Sequence, residues 1–175
     1  YIQIPTTLLA MVDSSIGGKT GVNLPAGKNL VGVIWQPKAV VIDPKLLESL
    51  PEREISSAMG EVIKYGAILD RDIFNLIANN LEDLLNLANP ELLMEVIGRC
   101  AKLKADVVAE DEREGGKRRI LNFGHTIGHA LESHLGYGKI RHGEAVALGM
   151  KCAGFISQKL NLLSKEELSV LNQTI

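Results

Sequence analysis

The chain runs to 175 residues, 46% of them hydrophobic, with a mean hydropathy of +0.10. That length fits one domain, or one domain with part of another, and supplies enough apolar side chains for a buried core. A formal net charge of −2 and a pI near 6.1 leave no electrostatic footprint for nucleic acid or an anionic membrane surface, and no apolar run approaches the roughly 20 residues of a membrane span.

The opening Tyr1-Ile2-Gln3-Ile4-Pro5 begins without Met and reads as the interior of a strand. The closing Asn172-Gln173-Thr174-Ile175 stops just inside a helical pattern, so both ends read as cut from a longer chain. Up to about residue 50 the chain is rich in turn signals. Gly17-Gly18-Lys19-Thr20-Gly21 and Pro25-Ala26-Gly27-Lys28-Asn29 read as loops. Val31-Gly32-Val33-Ile34-Trp35 and Ala39-Val40-Val41-Ile42 are short β-branched runs, with Gln36-Pro37-Lys38 as the turn between them.

From Pro51 the pattern becomes helical. Pro51 followed by Glu52 and Glu54 marks a helix start. Ile73, Leu76, Ile77, Leu81, Leu84 and Leu85 recur with a helical period. Asn89-Pro90-Glu91 opens another helix, running through Leu92, Val96, Ile97, Cys100 and Leu103. A polar stretch from Glu110 to Arg119, with Gly115-Gly116 inside it, interrupts the pattern. Helices resume near Gly124 and Gly143, and Ser164-Lys165-Glu166-Glu167 has the form of a capping box. The expected fold is mainly α: a helical domain over 51–175 preceded by a short α/β remnant over 1–50. Cys100 and Cys152 both fall in apolar helical patterns and read as buried thiols rather than a disulfide, which fits a reducing cytoplasm.

Three short stretches carry chemistry: Gly60-Glu61-Val62-Ile63-Lys64-Tyr65-Gly66, Asn122-Phe123-Gly124-His125-Thr126-Ile127-Gly128-His129-Ala130, and Arg141-His142-Gly143-Glu144-Ala145. Glu61, His125 and His142 together make a common ligand set for a catalytic divalent metal, because three protein ligands leave a position open for water or substrate. Each also has a plainer reading. Glu61 and Lys64 suit a partly exposed helix pair worth a few tenths of a kcal/mol. His125 and His129 share a helix face and suit two satisfied core histidines. The metalloprotease pattern needs Glu where Thr126 stands. His142 suits a surface helix cap, and Glu144 suits a first-turn charge better than an imidazole-orienting partner. Gly124 and Gly128 admit close approach of a backbone or an anionic ligand. Gly17-Gly18-Lys19-Thr20 lacks the upstream glycine of a phosphate-binding P-loop, since position 13 is Asp. No Gly-x-Gly-x-x-Gly dinucleotide fingerprint is present. For Arg113 to Arg119 the plainer reading is a solvated charge run, and it is the preferred one for Arg119.

With these motifs in this order, joined by Ile4-Pro5-Thr6-Thr7-Leu8-Leu9-Ala10, the run Val12 to Gly21, Gly27-Lys28-Asn29-Leu30 and Asp111-Glu112-Arg113-Glu114-Gly115-Gly116, the chain resembles the 3-dehydroquinate synthase family of the shikimate pathway over essentially its whole length. The resemblance implies a lyase that converts 3-deoxy-D-arabino-heptulosonate 7-phosphate to 3-dehydroquinate and phosphate. Its steps are NAD-mediated transient oxidation, elimination, reduction, ring opening and aldol closure. It implies that Glu61, His125 and His142 hold zinc or cobalt. Lys64, Lys104, Arg118, Asn122 and His129 match positions around the substrate. Asp13, Lys19 and Lys28 match loops near cofactor and substrate. Thr6 and Thr7, with the Leu46-Leu47-Glu48-Ser49 stretch, match NAD contacts. Residues 1–50 would then be the tail of the NAD-binding domain, with a β-hairpin and substrate loops, and 51–175 a truncated metal- and substrate-binding domain. A small anionic sugar phosphate is the implied partner, a homodimer the implied assembly and the cytoplasm the implied location. Nucleic acid and membranes are not expected partners. The family's glycine-rich nucleotide loop is absent, so the 175-residue piece is expected to be inactive alone. Related sugar-phosphate cyclases that make inosose or valiolone rings are the nearest alternative. Glycerol dehydrogenases fit the glycine and lysine loops less well, and a non-catalytic metal-binding module is the reading from a different class.

Overall fold

The structure is a computed structural model and describes residues 1–24, 27–136 and 138–175; the side chains of Asn23 and residues 27–29 lie outside the description. The Pro25-Ala26 part of the expected loop, and the side chain of Lys28, therefore fall outside it.

The first fifty residues form two small sheets. Strand β1 (Ile2–Gln3) pairs in parallel with β4 (Ala39–Val40). Strands β2 (Val22–Leu24) and β3 (Gly27–Val31) pair antiparallel, and Lys19 bridges Ile34. The turn read at Gln36-Pro37-Lys38 does not fold residues 31–35 back onto 39–42, and the antiparallel hairpin lies upstream at β2–β3. Two-residue hairpin turns take residues with positive φ, whereas Pro37 is locked near −65° and has no N–H to donate. The chain beyond it turns away instead: Lys38 N–H donates to the Tyr1 carbonyl at 2.9 Å and Val41 N–H to the Gln3 carbonyl at 2.9 Å. The expected loop at 17–21 is drawn onto the hairpin, with Thr20 N–H donating to the Val33 carbonyl at 3.0 Å. A single π-helical turn, Ala10–Ser14, and a 3-10 turn, Pro44–Ser49, complete this part.

The remainder is helical: α1 (Glu52–Leu69), α2 (Arg71–Asn79), α3 (Leu81–Leu85), α4 (Pro90–Glu110), α5 (His125–Leu135), α6 (His142–Lys159) and α7 (Lys165–Thr174), with a 3-10 turn at Lys117–Asn122. Local chemistry starts these helices where the residues predict. Pro51 precedes α1 with Glu52 and Glu54 in the first turn. Asp70 accepts from the Asp72 and Ile73 amides at the head of α2. The Asn89 side chain accepts from Leu92 N–H at 3.1 Å before α4. Ser164 and Glu167 complete a reciprocal capping box on α7.

Helix α1 is buried almost all round from Ile55 to Gly66, which marks it as the central element. Val62, Ile63 and Tyr65 join Leu8 just before the π-turn, Met11 and Val12 within it, Ile97 and Cys100 of α4, and Val146 and Met150 of α6 in one core. Helix α6 crosses α1 very closely. A Cβ on Gly143 would stand 1.7 Å from the Ser57 carbonyl oxygen, so only glycine fits. The outer side of α6 differs from expectation at Cys152, which is exposed while Cys100 is buried. The apolar pattern of α6 is two-sided: Val146 and Met150 face the core, whereas Leu148, Phe155 and Ile156 face outward with Cys152. Among the described residues no helix is long and apolar enough to cross a membrane.

Candidate metal and anion site

Three helices meet at the histidines. Glu61 sits one residue after Gly60 on α1, and a Cβ on Gly60 would stand 2.3 Å from the Gly143 carbonyl. That approach brings the start of α6, where His142 is the first residue, against the middle of α1. Helix α5 begins with His125 after Gly124, whose φ of +80° suits glycine. Gly149 of α6 packs so tightly on Gly124 that an added Cβ would lie 1.9 Å from its carbonyl oxygen. Gly124 thus admits a neighbouring backbone, the first of the two readings its position left open.

His125 Nε2 lies 3.5 Å and His142 Nε2 3.6 Å from the same oxygen, Glu61 Oε1. That oxygen is buried and has no hydrogen-bond partner among the described residues. A buried, unpartnered carboxylate oxygen is costly. A divalent cation bound by this oxygen and the two ring nitrogens removes that cost, and the donor set suits zinc or cobalt. The three residues fit a metal. The other carboxylate oxygen accepts from Lys64 Nζ, and both side chains are buried, 1% and 2% exposed. The partly exposed helix pair is thereby corrected: helix α1 is the core, so this is a buried ion pair. Burial would raise the Glu61 pKa, but His142 and Lys64 outweigh it and hold the carboxylate below its usual range. Burial lowers the His125 pKa despite Glu61, which favours the neutral ring a metal needs. Glu61 raises that of His142, against burial, with help from Glu132.

His129 is exposed one turn along α5. Its ring centroid lies 5.3 Å from that of His125 and 5.8 Å from that of His142. Glu144 accepts from Arg141 N–H at 3.0 Å and from Arg53 at 2.8 and 3.0 Å. It is a helix-start charge, as its position predicts.

Asp13, in the π-turn, anchors a second group. Lys104 Nζ donates to its carboxylate at 2.8 Å and to its backbone carbonyl at 2.6 Å, and Tyr65 OH donates to the same carboxylate oxygen at 2.5 Å. Burial pushes the Asp13 pKa up, but Lys104 and Lys64 together bring it down to about 2. Burial lowers that of Lys104, with Asp13 opposing. A cleft of about 720 Å³ opens here, lined by Asp13, Lys19, Thr20, Ile34 and Lys104 among others.

Arg118 is buried, 2% exposed, and so is not part of the solvated run to which Arg113 and Arg119 belong. It donates to the Glu112 carbonyl at 2.6 Å and the Gly17 carbonyl at 3.0 Å, pinning the loop that carries Lys19. Asp111 folds the intervening turn by accepting from the amides of Gly115, Gly116 and Arg118. Lys19 and Asn122 meet through Glu114, which accepts from both. Glu114 escaped the sequence reading because it sits in what looked like a charge run; its positive φ of 59° had no signal in the sequence.

The nominated nucleotide contacts are more scattered. Thr6 is exposed, and Thr7 Oγ1 accepts from Ala10 N–H at 3.2 Å. Leu46, Glu48 and Ser49 are exposed on the 3-10 turn, while Leu47 is fully buried in the core and offers a ligand no side-chain surface. No hydrogen bond or ion pair among the described residues links this turn to the histidines.

Comparison with known proteins adds the following. The C-terminal family model of 3-dehydroquinate synthase matches residues 58–175 and the N-terminal one residues 1–57. The 3-dehydroquinate synthase of Prochlorococcus marinus (strain AS9601) is 57% identical over 170 residues, covering 96% of this chain and 47% of that protein. That of Nostoc punctiforme is 54% identical over 175 residues, covering 99% and 48%. The chain spans about half the length of the curated relatives it matches. Among solved structures, 2-epi-5-epi-valiolone synthase from Streptomyces hygroscopicus, with NAD+ and Zn2+ bound, has a TM-score of 0.92 at 28% identity, covering 99% of this chain and 48% of that one. A 2-deoxy-scyllo-inosose synthase complexed with carbaglucose-6-phosphate, NAD+ and Co2+ has a TM-score of 0.89 at 37% identity, covering 99% and 47%.

Proposed function

The chain belongs to the 3-dehydroquinate synthase family, and from that premise we propose that it is the metal- and substrate-binding part of an enzyme converting 3-deoxy-D-arabino-heptulosonate 7-phosphate to 3-dehydroquinate and phosphate. The observation that carries this reading is the convergence of Glu61 Oε1, His125 Nε2 and His142 Nε2 beside three buried cations, Lys64, Lys104 and Arg118. Their ammonium and guanidinium groups are the donors that suit carboxylate and phosphate oxygens of an anionic ligand.

When bound, zinc or cobalt supplies Lewis-acid polarisation of a substrate hydroxyl, and NAD serves as hydride acceptor and then donor. The solved relatives named above bind NAD+ and Zn2+ or Co2+, which supports both cofactors here. Of the residues nominated for NAD, Asp13 and Lys19 line one cleft. Lys64, held against Glu61, and Lys104, held against Asp13, present ammonium groups to carboxylate and phosphate oxygens and keep the substrate in register. Lys19 lines the same cleft, and Asn122 joins it through Glu114. Arg118 adds positive charge and fixes the Gly17 turn. His129, exposed beside the two ligand histidines, moves a proton between substrate and solvent through its ring nitrogens. The assembly is a cytoplasmic homodimer.

The test is phosphate release by a polypeptide that joins this chain to the nucleotide-binding half, with NAD and zinc, comparing the seven-carbon acid phosphate with a hexose 6-phosphate. Release from the former alone is expected. Release from the hexose phosphate instead would reassign the chain to the inosose-forming cyclases, and zinc binding without release from either would make it a non-catalytic metal module.

A further inference from the structure

Glu132 is not among the residues singled out by the sequence, and the proposed reaction gives it no role. Yet Gly128 and Glu132 are the two buried positions of α5, and Glu132 is 6% exposed. A carboxylate in such a place costs free energy that a leucine would not. It lies seven residues after His125 and three after His129, on the same face of the helix. Its Oε2 stands 3.2 Å from His142 Nδ1.

The two ligand rings are held in the same manner. His125 Nδ1 lies 3.2 Å from the Phe123 carbonyl oxygen, which can only accept. The ring must therefore carry its proton on Nδ1, leaving the Nε2 lone pair bare toward Glu61. An ionised Glu132 also only accepts, and at the shorter distance it draws the His142 proton to Nδ1 against the pull of Glu61 on Nε2. Both Nε2 atoms then converge, unprotonated, on Glu61 Oε1 at 3.5 and 3.6 Å. Without Glu132 the His142 ring is free to carry its proton on Nε2 or to turn.

We propose that Glu132 is a positioning residue for the metal site, fixing the tautomer and the orientation of His142 through its Nδ1 proton. The proposal rests on the reading of Glu61, His125 and His142 as ligands. Carboxylate partners of this kind tune a metal site through its ligands, and their loss weakens metal affinity by about 10–100-fold. Glu132 also stands with His129 and His142 in a second group of potential ligand atoms lying within 4.8 Å of one another. Direct ligation by Glu132 at a second metal ion is the competing role.

Two readouts test the proposal. Nitrogen chemical shifts of the His142 ring in the metal-free chain, at a pH above the imidazole range, report the tautomer without any metal. Nδ1–H is expected in the native chain and in Glu132→Gln, whose amide oxygen still accepts, with a mixture in Glu132→Ala. An Nε2–H ring in the native chain would overturn the proposal. Zinc affinity, read by competition with a chelating dye, is expected to fall about 10–100-fold in E132A and less than about 10-fold in E132Q, with one zinc per native chain. Equal affinity in native and E132A, or two zinc ions per native chain, would overturn the role of Glu132 and leave the ligand reading standing. A native chain that binds no zinc would sink the ligand reading, while the tautomer still decides what Glu132 does to His142. If E132A fails to fold, Glu132→Leu, which fills the same buried space without an acceptor, takes its place in both comparisons.

Discussion

Asp13 shows how one side chain can be set by groups far away in sequence. Lys104 is 91 residues distant and Tyr65 is 52, and together with Lys64 the lysines bring the Asp13 pKa down to about 2. A carboxylate depressed in the folded state stabilises the fold fully above its ordinary pKa of 3.8. The contribution drains away as pH falls from there through the folded value. The size is about 2 kcal/mol. The gap in unfolding free energy between the native chain and Asp13→Asn is therefore expected to narrow as pH falls from about 5 to about 2. Urea titrations at several pH values would show this, and a gap that stays constant would mean Asp13 is not held by charge. The residue types of the candidate ligands were readable directly, because Glu, His and His bring their donor chemistry with them. Glu132 was readable in principle from its seven-residue spacing after His125. Glu114 was not, because its role depends on a turn that folds it between Lys19 and Asn122.

At the scale of elements, the spacing of Glu61, His125 and His142 is set by helix crossings that only glycine permits. Gly143→Ala places a Cβ 1.7 Å from the Ser57 carbonyl, so α1 and α6 must part. A loss of about 1–3 kcal/mol is expected from such overpacking, together with weaker zinc binding, because His142 moves with α6. Gly98 on α4 is the contrasting case: a Cβ there meets nothing within 4 Å. Gly98→Ala is expected to stabilise the chain by about 0.5–1 kcal/mol and to leave zinc affinity unchanged. Denaturant midpoints and a zinc titration on both variants separate the two effects. Helix starts at Pro51, Asn89 and Ser164 were legible because capping is local chemistry. The strand partners of residues 31–42 were not, because pairing is chosen by whichever distant edge is available, and Tyr1 to Gln3 is nearer than any hairpin Pro37 could make.

For the whole molecule, the unpartnered Glu61 oxygen makes metal and fold thermodynamically linked. A ligand bound only by the folded state adds about 2.7 kcal/mol when present at 100 times its Kd. For a chain of this length that is a rise in Tm of roughly 5–10 °C. Zinc is expected to raise the melting temperature of the native chain by that order, a chelator to reverse the rise, and Glu61→Gln to abolish it. A native chain that melts at the same temperature with and without zinc would remove the metal from this site.

What the amino acids settle unaided follows from local rules: a mainly helical fold with a short α/β beginning, the helix starts, the candidate ligand types, and a family resemblance carried by contiguous motifs. Tertiary structure alone decides the rest. It buries Arg118 against the Gly17 carbonyl rather than in solvent and turns Cys152 outward on a helix with two apolar sides. It places Glu61 within reach of two histidines 64 and 81 residues later in the chain. The physical reason is one and the same. Helical period, caps and side-chain chemistry act within a few residues, whereas burial, strand partnership and ligand convergence depend on which distant backbone comes to lie alongside.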